Sequence, residues 1–204
     1  MKTLLVATTN PGKLAEIQEF LSDLPVRLVS LKDVGITAHV EETGKTFEEN
    51  ALLKATHYSK DSGLPTIADD GGLEIDALGG EPGVNSHRWI HKDREDKDEE
   101  LIQHALFRLK DVPMENRGAQ LHLVIAFATP KGKTYTSEGS IRGVIPFKDA
   151  PYRREGFPYR SLLYLPELKK FYNHDELTQE ENTTYNHRKI AVEKLKPVIL
   201  KELT

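Results

Sequence analysis

The residues best suited to chemistry in this chain are two pairs of carboxylates and one lysine set beside hydroxyls. Asp69 and Asp70 close the apolar run of "LPTIADDGGLEID", Glu41 and Glu42 lie in "VEETGKTFEEN", and Lys13 ends "ATTNPGK". Adjacent residues on an extended chain point to opposite faces, so each acidic pair offers one carboxylate to a shared site. Hard oxygen donors from separate loops suit Mg²⁺, which binds through one or two carboxylates together with substrate phosphates and keeps several waters. Gly71 and Gly72 let a phosphate or a metal approach the backbone closely. The competing reading of the aspartates is an Asx-type turn into the strand "LEID", the commoner use of such a pair in isolation.

In "ATTNPGK" a strand ends in Thr8, Thr9 and Asn10, a Pro-Gly turn follows, and Lys13 falls on the first turn of a helix. Hydroxyls, open backbone N–H groups at the helix start and the ammonium all favour an anion there. The spacing is not that of a Walker A loop, and the bland alternative is a capped helix start with a surface lysine. Ligands of parallel α/β sheets collect outside the carboxyl ends of the strands, and both "TTNPGK" and "DDGG" are expected just past such ends. An anion cradle facing a divalent-metal site points to phosphoanhydride or phosphate-ester chemistry, with a carboxylate orienting water. His87 and His91 have helical metal-pair spacing but lack a third ligand, and no nucleophile-elbow pattern supports a serine hydrolase.

Those loops need a scaffold of alternating strands and helices. "TLLVAT" reads as a buried strand, and the helix after it takes Asn10 as cap, Pro11 in its first turn and Leu14, Ile17, Leu21 and Leu24 as its apolar stripe. "VRLVSL" is a second strand. Thr46 and Glu49 form a capping box for a helix running to Gly63, and "LPTIAD" is a short third strand ending at the aspartates. A helix is expected from Asp93 to Leu109, its run "KDREDKDEE" forming solvated first turns. A hairpin of long strands breaks at Pro130 to Gly132, and a closing helix over "NHRKIAVEKLKPVILKEL" is kinked or broken at Pro197.

With 204 residues, 38% of them hydrophobic, the chain buries a full core. Lys plus Arg number 28 against 32 acidic residues, so a net charge of −4 supplies no global field for a nucleic-acid polymer or an anionic membrane, and an anionic ligand needs a local site. The absence of cysteine excludes disulfides, thiolate metal sites and a cysteine nucleophile. The apolar run at the N-terminus is shorter than a signal-peptide core or a membrane span, which makes a cytoplasmic address the expectation.

Four blocks, "ATTNPGK", "EETGKTFEENALLKA", "GLPTIADDGGLEIDALGGEPGV" and "GFPYRSLLYLPE" followed by "NHRKIA", resemble in order and across nearly the whole chain the inosine triphosphate pyrophosphatase family. Members hydrolyse non-standard purine nucleoside triphosphates to monophosphate and pyrophosphate. The resemblance implies an α/β fold in which a mixed central sheet flanked by helices carries a second, smaller lobe, with residues 1–204 forming one elongated domain and a ligand cleft between the lobes. It also implies Mg²⁺ dependence and a homodimer. Carried over by position, it assigns the polyphosphate to Thr8, Thr9, Asn10 and Lys13, the metal to Glu41 and Asp70, and water activation to Asp70. The remaining substrate contacts fall on Gly71, Phe157, Tyr159, Arg160, Asn182, His187 and Arg188, with Phe157 stacking on the base.

The chain departs from that family mostly at the base-recognition end. The usual D-S-G is Asp70-Gly71-Gly72, the usual G-F-G-Y-D-P is Gly156-Phe157-Pro158-Tyr159-Arg160-Ser161, Asn182 stands where a lysine is expected, and Asn186 replaces a serine. Aspartate accepts hydrogen bonds from a base edge whereas arginine only donates them, so Arg160 either inverts what the pocket reads or turns to solvent. Three readings follow from these residues: a nucleoside-triphosphate diphosphatase, the same chemistry on a modified pyrimidine or other nucleotide, and a nucleotide-binding relative with little turnover.

Overall fold

A computed structural model describes residues 2–203 and shows an α/β chain whose residues fall into two compact units. The first unit holds residues 1–70, 123–139 and 187–204, and the second holds 71–122 and 140–186.

In the first unit β1 (Lys2–Val6) pairs in parallel with β2 (Val26–Ser30) along its whole length, and with β3 (Thr66–Ile75) at Leu5–Thr66 and Val6–Ile67. Helix α1 (Pro11–Phe20) joins β1 to β2, and α2 (Phe47–Ser62) leads into β3. The N-cap of α1 forms as its sequence expects, with Asn10 Oδ1 accepting the N–H of Gly12 at 2.9 Å and of Lys13 at 3.1 Å. Thr46 Oγ1 accepts Glu49 N–H at 3.1 Å, while the Glu49 carboxylate accepts from Lys45 rather than from Thr46. Gly63, at φ 68°, ends α2 in the left-handed conformation that an L side chain resists.

Strands β4 (Gly118–Ala128) and β5 (Thr134–Val144) are the expected hairpin, and both run through the two units, as β3 does. The core of the first unit gathers Leu4 and Val6 of β1, Ile17 and Phe20 of α1, and Ile125 and Phe127 of β4. Against these pack Val192, Leu195 and Ile199 of the closing helix α5 (His187–Leu203). Pro197 lies inside α5, which continues through it for six further residues. Among the described residues no helix is long and apolar enough to cross a membrane.

Two further sequence expectations change. The strand at the aspartates does not end there: β3 runs ten residues, from Thr66 through both aspartates and both glycines to Ile75, so no Asx turn separates "ADD" from "LEID". What does end near the aspartates is the parallel pairing with β1, whose last register is Val6–Ile67. The helix expected from Asp93 begins only at Asp98, as α3 (Asp98–Arg108). Its missing turn is a loop folded around Asp96, whose buried carboxylate accepts the N–H groups of Ile90 at 2.8 Å and His91 at 3.2 Å, and Glu100 then caps the helix by accepting Lys97 N–H at 2.9 Å.

The second unit orders its strands as β3, β4, β5, then the two-residue strands β6 (Tyr164–Leu165) and β7 (Lys170–Phe171), and adds the short helix α4 (Gln179–Thr184). Arg117, 1% exposed, ties its irregular segments together by donating to the carbonyls of Leu109 at 2.5 Å, Ile145 at 2.6 Å and Pro146 at 3.0 Å. Gly72 is a second fixed point. A Cβ there would lie 1.8 Å from Ser86 Oγ, the atom that accepts Leu73 N–H.

Candidate active site

The first unit brings charges of both signs together around the middle of β3. Asp69 and Asp70 are buried side by side in sequence yet do different things, because successive side chains on the strand take opposite faces. Asp69 Oδ2 is 3.2 Å from Lys13 Nζ and 3.3 Å from Arg188 Nη2, and Arg188 Nη1 is 2.5 Å from Glu16 Oε2 on α1. Burial alone would push the Asp69 carboxyl up, but Lys13, Arg188 and Lys54 hold it well below the usual carboxylate range. It is a fixed anion that anchors two cations.

Asp70 meets α2 instead. Asn50 Nδ2 donates to its Oδ2 at 3.0 Å, and Lys54, one helical turn further on, places Nζ 3.8 Å from its Oδ1. The same ammonium is hydrogen-bonded to the Glu42 carboxylate. Glu42 takes the closer share of Lys54, which brings its carboxyl below the ordinary value against the pull of burial. Asp70, with the weaker share and Glu42's charge nearby, is pushed up to about 6, chiefly by burial.

The loop carboxylate that shares a cation with Asp70 in this structure is Glu42's. Glu41 is exposed, while Glu42 is half-buried and bonded to Lys54. The phosphate loop also differs from expectation. Gly12 and Lys13 N–H groups are already taken by Asn10 Oδ1, and Asn10 N–H donates to Thr8 Oγ1 at 3.2 Å, so the helix start offers an anion less backbone than its sequence promises. Thr9 is exposed and Lys13 half-buried. Arg188 is 3% exposed and committed to Glu16 and Asp69, which makes it a positioning group, and His187 is buried beside it at the start of α5.

The base-recognition candidates Gly71, Phe157, Tyr159, Arg160 and Asn182 belong to the second unit. Arg160 does not turn to solvent: it is 2% exposed, with its guanidinium carbon 3.9 Å from the centre of the Phe157 ring and 5.2 Å from that of Tyr172. Arg154 lies 5.3 Å from the same Phe157 ring. The ring expected to stack on a base thus carries a guanidinium. Tyr159 is buried and its hydroxyl donates to the Ser86 carbonyl at 2.5 Å. Asn182 and Asn186, which stand where lysine and serine were expected, share one network: Asn182 Oδ1 accepts Asn186 Nδ2 at 3.0 Å and lies 2.9 Å from His174 Nδ1. Gly71 is half-buried within β3. His91, of the dismissed histidine pair, bonds Asp96 at 2.6 Å, and Arg94 already meets both Asp96 and Glu100 around it.

The Ham1 family profile matches residues 4–198. The chain belongs to the Ham1 family. It is 43% identical over 196 residues to a dITP/XTP pyrophosphatase of Geobacter sulfurreducens, covering 96% of both chains, and 37% identical to one of Bacillus subtilis, covering 98% of both. The structure of a HAM1 protein from Coxiella burnetii superposes with a TM-score of 0.83 at 34% identity, covering 98% of this chain and 100% of that one.

In this Ham1 chain the residues that sequence reasoning passed over are Glu16, Asn50 and Lys54. Asn50 and Lys54 carried a signal, two polar side chains at i, i+4 on a helix whose neighbouring inward positions are Ala51, Ala55 and Tyr58. Glu16 carried none, since its partner Arg188 is 172 positions away. The donor set fits a hard divalent cation. Around Asp69 and Asp70, the carboxylates of Glu16, Glu42, Asp69 and Asp70 outnumber the cations Lys13, Lys54 and Arg188, and the Glu42 charge adds to the burial that raises the Asp70 carboxyl.

Proposed function

We infer that this protein is a nucleoside-triphosphate diphosphatase that cleaves non-standard purine triphosphates of the dITP/XTP type into monophosphate and pyrophosphate. The observation that carries the reading is the pair Asp70 and Glu42 sharing Lys54, in a chain that matches dITP/XTP pyrophosphatases over nearly its whole length.

Asp70 and Glu42 are the residues that would hold Mg²⁺. Bound there, a divalent cation would polarise the phosphoryl oxygens and offset charge developing on the polyphosphate. Lys13, fixed by Asp69, and Lys54 supply fixed positive charge for polyphosphate oxygens. Thr8, Thr9 and Asn10 line the same turn. An ionised Asp70 orients water toward the α-phosphorus and accepts its proton. Breaking the bond from the α-phosphorus to its bridging oxygen releases pyrophosphate as one unit.

Phe157 and Arg160 are the groups proposed to meet the base, together with Asn182 and His187. The reading also carries a homodimer and a cytoplasmic address, and light scattering at micromolar concentration tests the first. The test of function is product analysis with Mg²⁺ on dITP, XTP, ITP and the standard triphosphates. Pyrophosphate from the first group, lost in Asp70→Asn, supports the reading. Orthophosphate as the primary product, or equal turnover by Asp70→Asn, overturns it.

A further inference from the structure

Asn50 is 2% exposed on the first turn of α2, and its side-chain amide spends both of its functions on two separate segments. Its Oδ1 accepts Gly44 N–H at 2.7 Å, and its Nδ2 donates to Asp70 Oδ2 at 3.0 Å. An amide is planar, so fixing the oxygen on the loop fixes the direction in which the nitrogen points. Gly44 is two residues past Glu42. The amide therefore ties the loop that carries Glu42 to the strand that carries Asp70.

Gly44 records the closeness of that fit. A Cβ on Gly44 would lie 2.6 Å from Asn50 Oδ1, 2.7 Å from Glu49 Cβ and 3.0 Å from Asn50 N. These contacts are shorter than van der Waals distances, so the loop meets Asn50 only because position 44 has no side chain. Lys54, four residues on, reaches the other Asp70 oxygen and the Glu42 carboxylate. One face of α2 thus grips Asp70 at Oδ2 through Asn50 and at Oδ1 through Lys54, and grips the Glu42 loop through the same two side chains.

We propose that Asn50 is a positioning residue that sets the spacing and orientation of the Asp70 and Glu42 carboxylates, with Gly44 as the contact that lets it do so. The proposal rests on the assignment of Asp70 and Glu42 to catalysis and metal binding. Asn50 touches neither substrate nor metal in this scheme; it acts through Asp70 and the loop. Its effect belongs in kcat and in metal response, not in nucleotide affinity.

The test uses the full chain in three forms, wild type, Asn50→Leu and Gly44→Ala. Leucine has a similar size and suits a buried helical position, while Gly44→Ala leaves Asn50 and both carboxylates intact. Two quantities are read: kcat and KM for pyrophosphate release, and the change in thermal midpoint on adding MgCl₂ alone. Misplacement on the ångström scale reduces kcat by about 10²-fold in both variants, with KM for the nucleotide within about threefold of wild type. The Mg²⁺-induced rise in midpoint shrinks by about half or more in both. A purely structural role lowers the midpoint equally with and without Mg²⁺ and leaves kcat unchanged below it, and that result overturns the proposal. If wild type releases no pyrophosphate, the functional reading fails by itself. The Mg²⁺ response then decides: a shift in wild type that both variants lose supports Asn50, and a shift that both retain rejects it.

Discussion

Lys54 Nζ stands 3.8 Å from Asp70 Oδ1 while also holding the Glu42 carboxylate, so one ammonium serves a buried and a half-buried carboxylate. Burial would pull its pKa down, but Asp70, Glu42 and Asp69 together raise it, and the lysine stays charged. The arrangement leaves a negative surplus at Asp70, and a divalent cation fits such a surplus.

Removing that ammonium should be costly to the fold as well as to activity. Lys54→Gln leaves Asp70 and Glu42 without the cation they share, at a cost of about 1–3 kcal/mol for partly buried charged groups. Urea titration should show the loss, and MgCl₂ should restore more stability to the variant than it adds to wild type. Equal midpoints for the two proteins without metal would contradict this.

The proton and the cation should compete at Asp70. Its folded pKa, raised to about 6, lies above the ordinary value near 3.9. In the metal-free protein the stability tied to this group is therefore fully present below about pH 4 and is lost as pH rises through about 6. Asp70→Asn should gain stability over wild type at pH 7 and lose that advantage at pH 4. Calorimetric Mg²⁺ binding should weaken as pH falls below about 6. A metal affinity unchanged from pH 7 to pH 5 would remove the competition.

Arg117 should be the most sensitive single position of the second unit. Its guanidinium serves the carbonyls of Leu109, Ile145 and Pro146, and Arg117→Met leaves those buried acceptors without their donor. A destabilisation of about 3–5 kcal/mol is expected by denaturant titration. A loss below about 1 kcal/mol would mean that water or relaxation replaces the arginine.

Gly72→Ala tests the geometry immediately after the aspartates. Its Cβ would displace Ser86, whose Oγ accepts Leu73 N–H at 3.1 Å and donates to the Gly83 carbonyl at 2.6 Å. The expected cost is about 1–3 kcal/mol. Combining Gly72→Ala with Ser86→Gly should recover part of it, and no recovery would show that the clash lies elsewhere.

Base choice should respond to Arg160. With its guanidinium on the Phe157 ring, Arg160→Ala uncovers an aromatic face and removes a donor-only group. The ratio of kcat/KM for XTP over ATP should change by about tenfold or more. An unchanged ratio would place Arg160 outside substrate selection.

Much of the scaffold could be read from short-range chemistry. Asn10 and Pro11 start α1, Gly63 ends α2, and the β4–β5 alternation and the α5 stripe emerge where their periods place them. The errors came where a residue's role is settled by a distant partner. Two glycines ordinarily punctuate a strand, yet β3 continues through Gly71 and Gly72. Acidic residues from Asp93 onward look like a helix start, yet the Asp96 carboxylate is drawn into backbone bonds with Ile90 and His91. Which of Glu41 and Glu42 meets Lys54 depends on the path of an irregular loop, and no period in the loop encodes it. Asp70 and Lys13 stand beside strand and turn signals, whereas Glu16 and Arg188 meet only through the fold.

The most direct measurement is the rate of pyrophosphate release from XTP with Mg²⁺ for wild type, Asp70→Asn, Glu42→Gln and Glu41→Gln. Asp70→Asn and Glu42→Gln should each lose about 10²-fold or more in kcat, and Glu41→Gln should stay within about threefold of wild type. A crippled Glu41→Gln beside a fully active Glu42→Gln would contradict the paired site at Asp70 and Glu42.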